Sequence, residues 1–137
     1  MRISLRAGEK IYLNGAVIAV DRKVSLELLN DATFLLETHV MQAHEATTPL
    51  RQLYFVLQLL LMDPAGAETT RREALAMFSK LDEAFDDLSI VGRLRRVRHA
   101  LDHGKLFEAL KTLRALFPEE DALIGSGPRD RKERMTA

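Results

Sequence analysis

The hydrophobic repeat of this chain changes period near His39, from two residues before it to between three and four after it. A period of two belongs to half-buried strands and one of 3.6 to helices, so the two ends of the chain must fold as different kinds of structure. Ile11-Tyr12-Leu13 and Ala16-Val17-Ile18 flank Asn14-Gly15. A two-residue type I′ turn needs positive φ at both centres, which Asn-Gly supplies at little cost. The spacing predicts a hairpin with Leu13 opposite Ala16 and Ile11 opposite Ile18, all four on one face. Val24 to Leu28 alternates again, Asn30-Asp31 supplies a turn, and Thr33 to Glu37 returns as a strand with Phe34 and Leu36 on one side. A small antiparallel sheet follows from these elements.

Past the change of period, Thr48 suits a helix N-cap and Pro49 the first helical position, where a missing N–H costs nothing. The helix runs to Met62 and stops at Asp63-Pro64. Its apolar residues wrap most of the circumference, so Tyr54, Phe55, Leu57, Leu60 and Leu61 cannot all face one small sheet. Tyr54, Leu57, Leu60 and Leu61 are the candidate interface between lobes or in a homodimer. Thr69 or Thr70 opens a second helix, in which Ala74, Phe78, Leu81, Phe85 and Leu88 form one stripe. Ser89 can cap a third helix ending at His103 and closed by Gly104, and Leu106 to Phe117 form a fourth that Pro118 ends. Gly125-Ser126-Gly127-Pro128 leads into Arg-Asp-Arg-Lys-Glu-Arg, too polar to pack and expected to fray. The fold class is α+β: an antiparallel β lobe over residues 1–45, a bundle of about four helices over 46–118, and a polar tail over 119–137.

With 137 residues, 47% of them hydrophobic, the chain can bury one core without staples. It has no cysteine, hence no disulfide, thiolate nucleophile or cysteine-bound zinc. The Met-Arg-Ile-Ser start lacks a signal-peptide core, and the apolar runs from Leu53 are about half of a membrane span, so the expectation is a cytoplasmic protein with no membrane contact. No Gly-x-Ser-x-Gly elbow, phosphate loop or dinucleotide fingerprint occurs. His99 and His103 stand four apart near Asp102, but the Glu of a His-Glu-x-x-His motif is absent, and they read as histidines favoured by a helix C-terminal dipole. His39 and His44 read the same way. Asp86-Asp87 and Glu119-Glu120-Asp121 read as solvated acids. No catalytic residue, metal site or cofactor is expected, and the chain is not expected to be an enzyme.

What does stand out is charge. The formal net charge is zero, yet residues 63–89 hold seven acids against three bases, and residues 90–117 hold seven bases against two acids. On a helical projection Leu94, Val97 and Leu101 share one face, Arg95, Arg96 and His99 point away from it, and Arg93 and Arg98 lie at its edges. Arginine's planar fork suits phosphate, so Arg93, Arg95, Arg96, Arg98 and Lys105 are candidate contacts for a polyanion or an acidic protein. The competing reading lays the acidic second helix antiparallel to the third, where Asp82, Glu83, Asp86 and Asp87 would neutralise the arginines.

Gly8-Glu9-Lys10 before Leu13-Asn14-Gly15-Ala16-Val17-Ile18, and Ala46-Thr47-Thr48-Pro49-Leu50-Arg51-Gln52-Leu53-Tyr54-Phe55, resemble the FlbT family of flagellar biosynthesis repressors. Gly104 to Lys111 with Leu113-Arg114-Ala115-Leu116-Phe117-Pro118 fits its C-terminal signature, and the likeness spans about residues 3 to 125. The resemblance implies a post-transcriptional regulator without catalysis of its own, which associates with the 5′ untranslated region of flagellin mRNA and promotes its degradation. It supplies no RNA-contacting residues. Leu5-Arg6-Ala7-Gly8-Glu9 and the short strands after it are also similar in order to the β-fold of carbon storage regulators, though that family's paired Arg-Arg is here Arg6-Ala7. The expected partner is the flagellin mRNA leader. The alternative is a protein adaptor, whose basic third helix docks an acidic partner such as another flagellar regulatory protein.

Overall fold

A computed structural model describes residues 2–30 and 32–126 of the chain. Five short strands come first: β1 Arg2–Leu5, β2 Lys10–Leu13, β3 Ala16–Ala19, β4 Val24–Glu27 and β5 Phe34–Leu36. Asn14 and Gly15 take φ of 49° and 82°, and the hairpin they close pairs Leu13 with Ala16 and Ile11 with Ile18, the register that the turn chemistry predicts. The shared face is buried under β2, where Ile11 is 2% exposed, and open at the β3 edge, where Ile18 is 38% exposed.

The single sheet expected from the sequence is two. β1, a strand the sequence reading does not single out, pairs with β4 through Ile3 opposite Leu26. β5 does not join β4, its neighbour in the chain; it pairs antiparallel with β2, giving the order β3-β2-β5. Ile3, Leu5, Ile11 and Phe34 close a small core between the sheets, with Leu36 on the same side as Phe34. Asp31, the second residue of the expected Asn30-Asp31 turn, lies outside the described residues.

Four helices follow: α1 Pro49–Met62, α2 Ala67–Ala84, α3 Leu88–Asp102 and α4 Leu106–Ser126. α1 has the predicted cap and both predicted ends. Thr48 is its N-cap and accepts from the Arg51 N–H at 3.2 Å, and Pro49 is in the first turn. The other three depart from the sequence reading. α2 starts at Ala67, before Thr69 and Thr70, because Pro64 opens a 3₁₀ turn, Pro64–Gly66, that runs straight into it. It ends at Ala84 with Phe85 extended, so Leu88 leaves the α2 stripe and becomes the first, 86% exposed residue of α3. Asp87, not Ser89, caps α3: its carboxylate accepts from the N–H groups of Ser89 at 2.9 Å and Ile90 at 3.2 Å.

α4 does not stop at Pro118 but runs through it to Ser126. A proline inside a helix removes one backbone hydrogen bond and clashes with the preceding turn, at about 3 kcal/mol. Tertiary contacts hold the segment beyond it. Glu120 is buried, Arg93 pairs with Glu119 at 2.7 Å, and Arg51 grips Asp121 with two hydrogen bonds of 2.7 and 2.9 Å. Residues 119–126, assigned to a polar tail, thus continue the bundle. The rest of that tail, with the Gly127-Pro128 step and the Arg-Asp-Arg-Lys-Glu-Arg run, lies outside the described residues.

α1 is the centre of the packing. It lies against α2, α4 and β2, and α4 in turn packs on α3, whereas α2 meets α3 much less. Tyr54, Leu57 and Leu61 sit at 0–2% exposure in the core of this one chain, and Leu60 is partly covered beside them. Each fully buried leucine contributes about 1.5–3 kcal/mol. Gln58, buried on the same helix, uses its amide like a strand edge, accepting from Met41 N–H at 2.9 Å and donating to Met41 carbonyl at 2.6 Å. β5 joins the lobes because alternate residues face opposite ways: Phe34 enters the β core and Leu35 the helical core. Phe107 of α4 stacks on Phe34 with ring centres 4.7 Å apart. Among the described residues no helix is long and apolar enough to cross a membrane.

Candidate functional site

The turn between α3 and α4 sets the geometry of the basic surface. Gly104 takes φ of 70°, its N–H donates to Leu101 carbonyl at 3.1 Å, and Lys105 N–H donates to Ala100 carbonyl at 2.8 Å. That pair of bonds is a Schellman ending, which closes α3 and reverses the chain within three residues. Lys105 carbonyl then accepts from Ala109 N–H at 3.0 Å, so the same residue begins α4. The reversal brings Lys105 back beside the outer face of α3.

The result is a groove of about 430 Å³ between the two helices, lined by Arg95, Arg96 and His99 of α3 with Lys105, Glu108 and Thr112. Three fixed positive charges face one carboxylate. None of Arg95, Arg96, Lys105 and Glu108 makes an ion pair among the described residues. Planar guanidinium forks at Arg95 and Arg96, an ammonium opposite them and a threonine hydroxyl fit the chemistry of consecutive phosphates better than that of a small metabolite.

The five sequence-predicted cations do not share one fate. Arg95, Arg96 and Lys105 come together in the groove. Arg93 is turned toward α4, where it pairs with Glu119. Arg98 stays exposed about 40° around the helix from Asp102, on the flank that meets α2, where Arg71 approaches Asp102 at 3.4 Å. The neutralising arrangement, with the acids of α2 laid along these arginines, does not form among the described residues: no ion pair joins Asp82, Glu83, Asp86 or Asp87 to any of them. α4, not α2, lies along α3, and Asp87 is occupied in capping it.

Sequence reasoning missed His99, Glu108 and Thr112 as groove residues. Arg95 with His99, and Glu108 with Thr112, are four apart, and that shared spacing was the available signal. His99 and His103 have ring centres 4.0 Å apart, and among the described residues no three or more of His, Cys, Asp and Glu cluster to hold a metal ion.

Glu120, which its run of acids places in solvent, is instead wholly buried. Its carboxylate accepts from the Thr48 hydroxyl, from Leu50 N–H at 2.8 Å and from Arg51 Nη1 at 3.4 Å. Burial pushes this carboxyl above the ordinary glutamate range, outweighing the hydrogen bonds that favour its charged form. Beside it, Arg51 holds the Asp121 carboxyl below the usual range. The cluster is structural. Pro49 has no N–H, Leu50 donates to Glu120, Arg51 to Thr48 Oγ1 and Gln52 to Thr48 carbonyl, which satisfies the whole first turn of α1.

Arg114 donates to Tyr54 hydroxyl at 3.0 Å, while that hydroxyl donates to His39 carbonyl at 2.5 Å. Burial, and after it the Arg114 charge, holds the His39 imidazole below its ordinary pKa.

Residues 1–124 match the family model described as flagellar protein FlbT. A protein of Brucella ovis named "Probable flagellum biosynthesis repressor protein FlbT" is 52% identical over 128 residues, covering 93% of this chain and 84% of its own. One of Brucella abortus strain S19 with the same name has the same identity and coverage, and one of Brucella anthropi is 52% identical over 91% of this chain and 82% of its own. No solved structure matches the chain. A family match over nearly every described residue, with relatives identical at about half of the aligned positions, places the chain in the FlbT family of flagellar proteins.

Proposed function

We propose that the protein is a cytoplasmic repressor of flagellum synthesis that acts after transcription, associating with the 5′ untranslated region of flagellin mRNA and promoting its degradation. Membership of the FlbT family and the names of its relatives support the repressor role. The observation that carries RNA contact is the groove in which Arg95, Arg96 and Lys105 converge on a single carboxylate, Glu108, and form no ion pair among the described residues. The mechanism is non-covalent: guanidinium and ammonium groups hold successive phosphates, and decay of the bound message is carried out by a separate nuclease.

Binding of the purified chain to a flagellin leader at two salt concentrations tests this. Each phosphate contact with a single strand contributes about 0.7 to the slope of log affinity against log salt, so Arg95→Ala with Arg96→Ala should flatten it by about 1.4. No binding at low salt overturns the RNA reading. If, in addition, an acidic flagellar protein copurifies and is lost with the same double variant, the groove is the dock of an adaptor.

A further inference from the structure

We infer that the larger cleft adjoining the basic groove, between the β lobe and the α3–α4 turn, receives an unpaired base of the bound RNA and so supplies its sequence discrimination. This rests on the RNA reading above and goes beyond it, because phosphate contacts position a nucleic acid without reading its sequence.

The two cavities are adjacent. Lys105 and Glu108 line both, so a strand whose phosphates lie on Arg95, Arg96 and Lys105 runs alongside the mouth of the second. The cleft has a volume of about 650 Å³, inside the 300–1,000 Å³ range of small-molecule pockets. Its chemistry also differs from that of the groove. Asn14, Asn30 and Thr33 reach it from the β lobe, and their side chains make no hydrogen bond within the chain among the described residues. Two amides and a hydroxyl give donors and acceptors suited to the edge of a base.

The opposite wall is aromatic. Phe107 stacks on Phe34 by one face and is half-buried, which leaves part of its ring facing the cleft. His103 Nδ1 lies 2.8 Å from His99 carbonyl, so in the neutral ring the proton sits on Nδ1 and Nε2 is left as an acceptor in the cleft wall. Single-stranded RNA is read by stacking a splayed base on an aromatic side chain and bonding its edge, and this cleft offers both next to a phosphate track. The chain has few aromatic residues, and none in α3, so the platform has to come from such a place.

The test compares the flagellin leader with a scrambled single strand of equal length and composition. Wild type should prefer the leader. Asn30→Ala with Thr33→Val should reduce that preference about tenfold or more while leaving the salt slope unchanged. Arg95→Ala with Arg96→Ala should do the reverse, weakening both RNAs alike. Equal wild-type affinity for the two RNAs, or a preference that survives Asn30→Ala with Thr33→Val, overturns the base pocket and leaves the RNA reading standing. No binding to either RNA overturns the RNA reading. As a second readout, amide NMR signals of Asn30, Thr33 and Phe107 should shift on titration with ribonucleoside 5′-monophosphates. Shifts confined to Arg95 and Arg96 count against the pocket.

Discussion

Glu120→Ala should cost about 3 kcal/mol, although the residue lies in a run of three acids that reads as a solvated surface. The figure has two parts. The buried Leu50 N–H loses its acceptor, at about 1–3 kcal/mol for an orphaned donor. One buried methylene, Cγ, is deleted with the carboxylate, at about 0.8 kcal/mol. Glu120→Gln keeps the shape and one acceptor and removes a charge that burial already disfavours, so it should cost less than about 1 kcal/mol. The pH dependence has a definite sign. A carboxyl raised in the folded state binds its proton more readily there than in the unfolded chain, so wild type gains stability as pH falls through that raised value toward 4.5, the unshifted one. The gap between wild type and Glu120→Gln should therefore move in favour of wild type over that window. Urea unfolding of the full chain followed by far-ultraviolet circular dichroism, at neutral pH and at pH 5, measures all of this. Glu120→Ala within about 1 kcal/mol of wild type, or as mild as Glu120→Gln, would refute the reasoning that this carboxylate ties α4 to the start of α1.

Three further perturbations test other joints of the structure. Gly15→Ala should destabilise by about 1–2 kcal/mol for the left-handed backbone alone, and by more because its new methyl would sit 3.1 Å from Pro64 Cγ; thermal or urea unfolding reads the loss. Asp87→Ala should cost about 1 kcal/mol as a lost N-cap, whereas Asp82→Ala and Asp86→Ala should stay within about 0.5 kcal/mol; equal losses at all three would mean that the acids act as a charge cluster. The His39 imidazole should titrate below 6.5 by NMR, and Arg114→Met should bring it only part of the way back, because burial is the larger cause. A depressed histidine makes the fold lose stability as pH falls from 6.5 toward its folded pKa, and His39→Gln should remove that part of the loss.

The membership of the family and the division into a β lobe and a helical lobe were legible from residue order, because both depend on local pattern. Asn14-Gly15 determines the hairpin register through backbone sterics, and Thr48-Pro49 determines the start of α1, since each operates within a few residues. Arg95 and Arg96 had to be exposed, because Leu94, Val97 and Leu101 take the other face of the same helix. Three features depended on contacts between residues far apart in sequence. β5 pairs with β2, more than twenty residues away in sequence, rather than with β4, its neighbour in the chain. α4 continues through Pro118 because Glu119, Glu120 and Asp121 find partners on α3 and at the start of α1, which together outweigh one lost hydrogen bond. Arg93 is tied to Glu119 while Arg95, Arg96 and Lys105 remain unpaired, and that follows from α4, rather than the acidic α2, lying along α3. Pattern within a segment fixes which side chains leave the core, but a charge is neutralised only by what packing brings within a few ångströms, and that distance is a property of the whole fold.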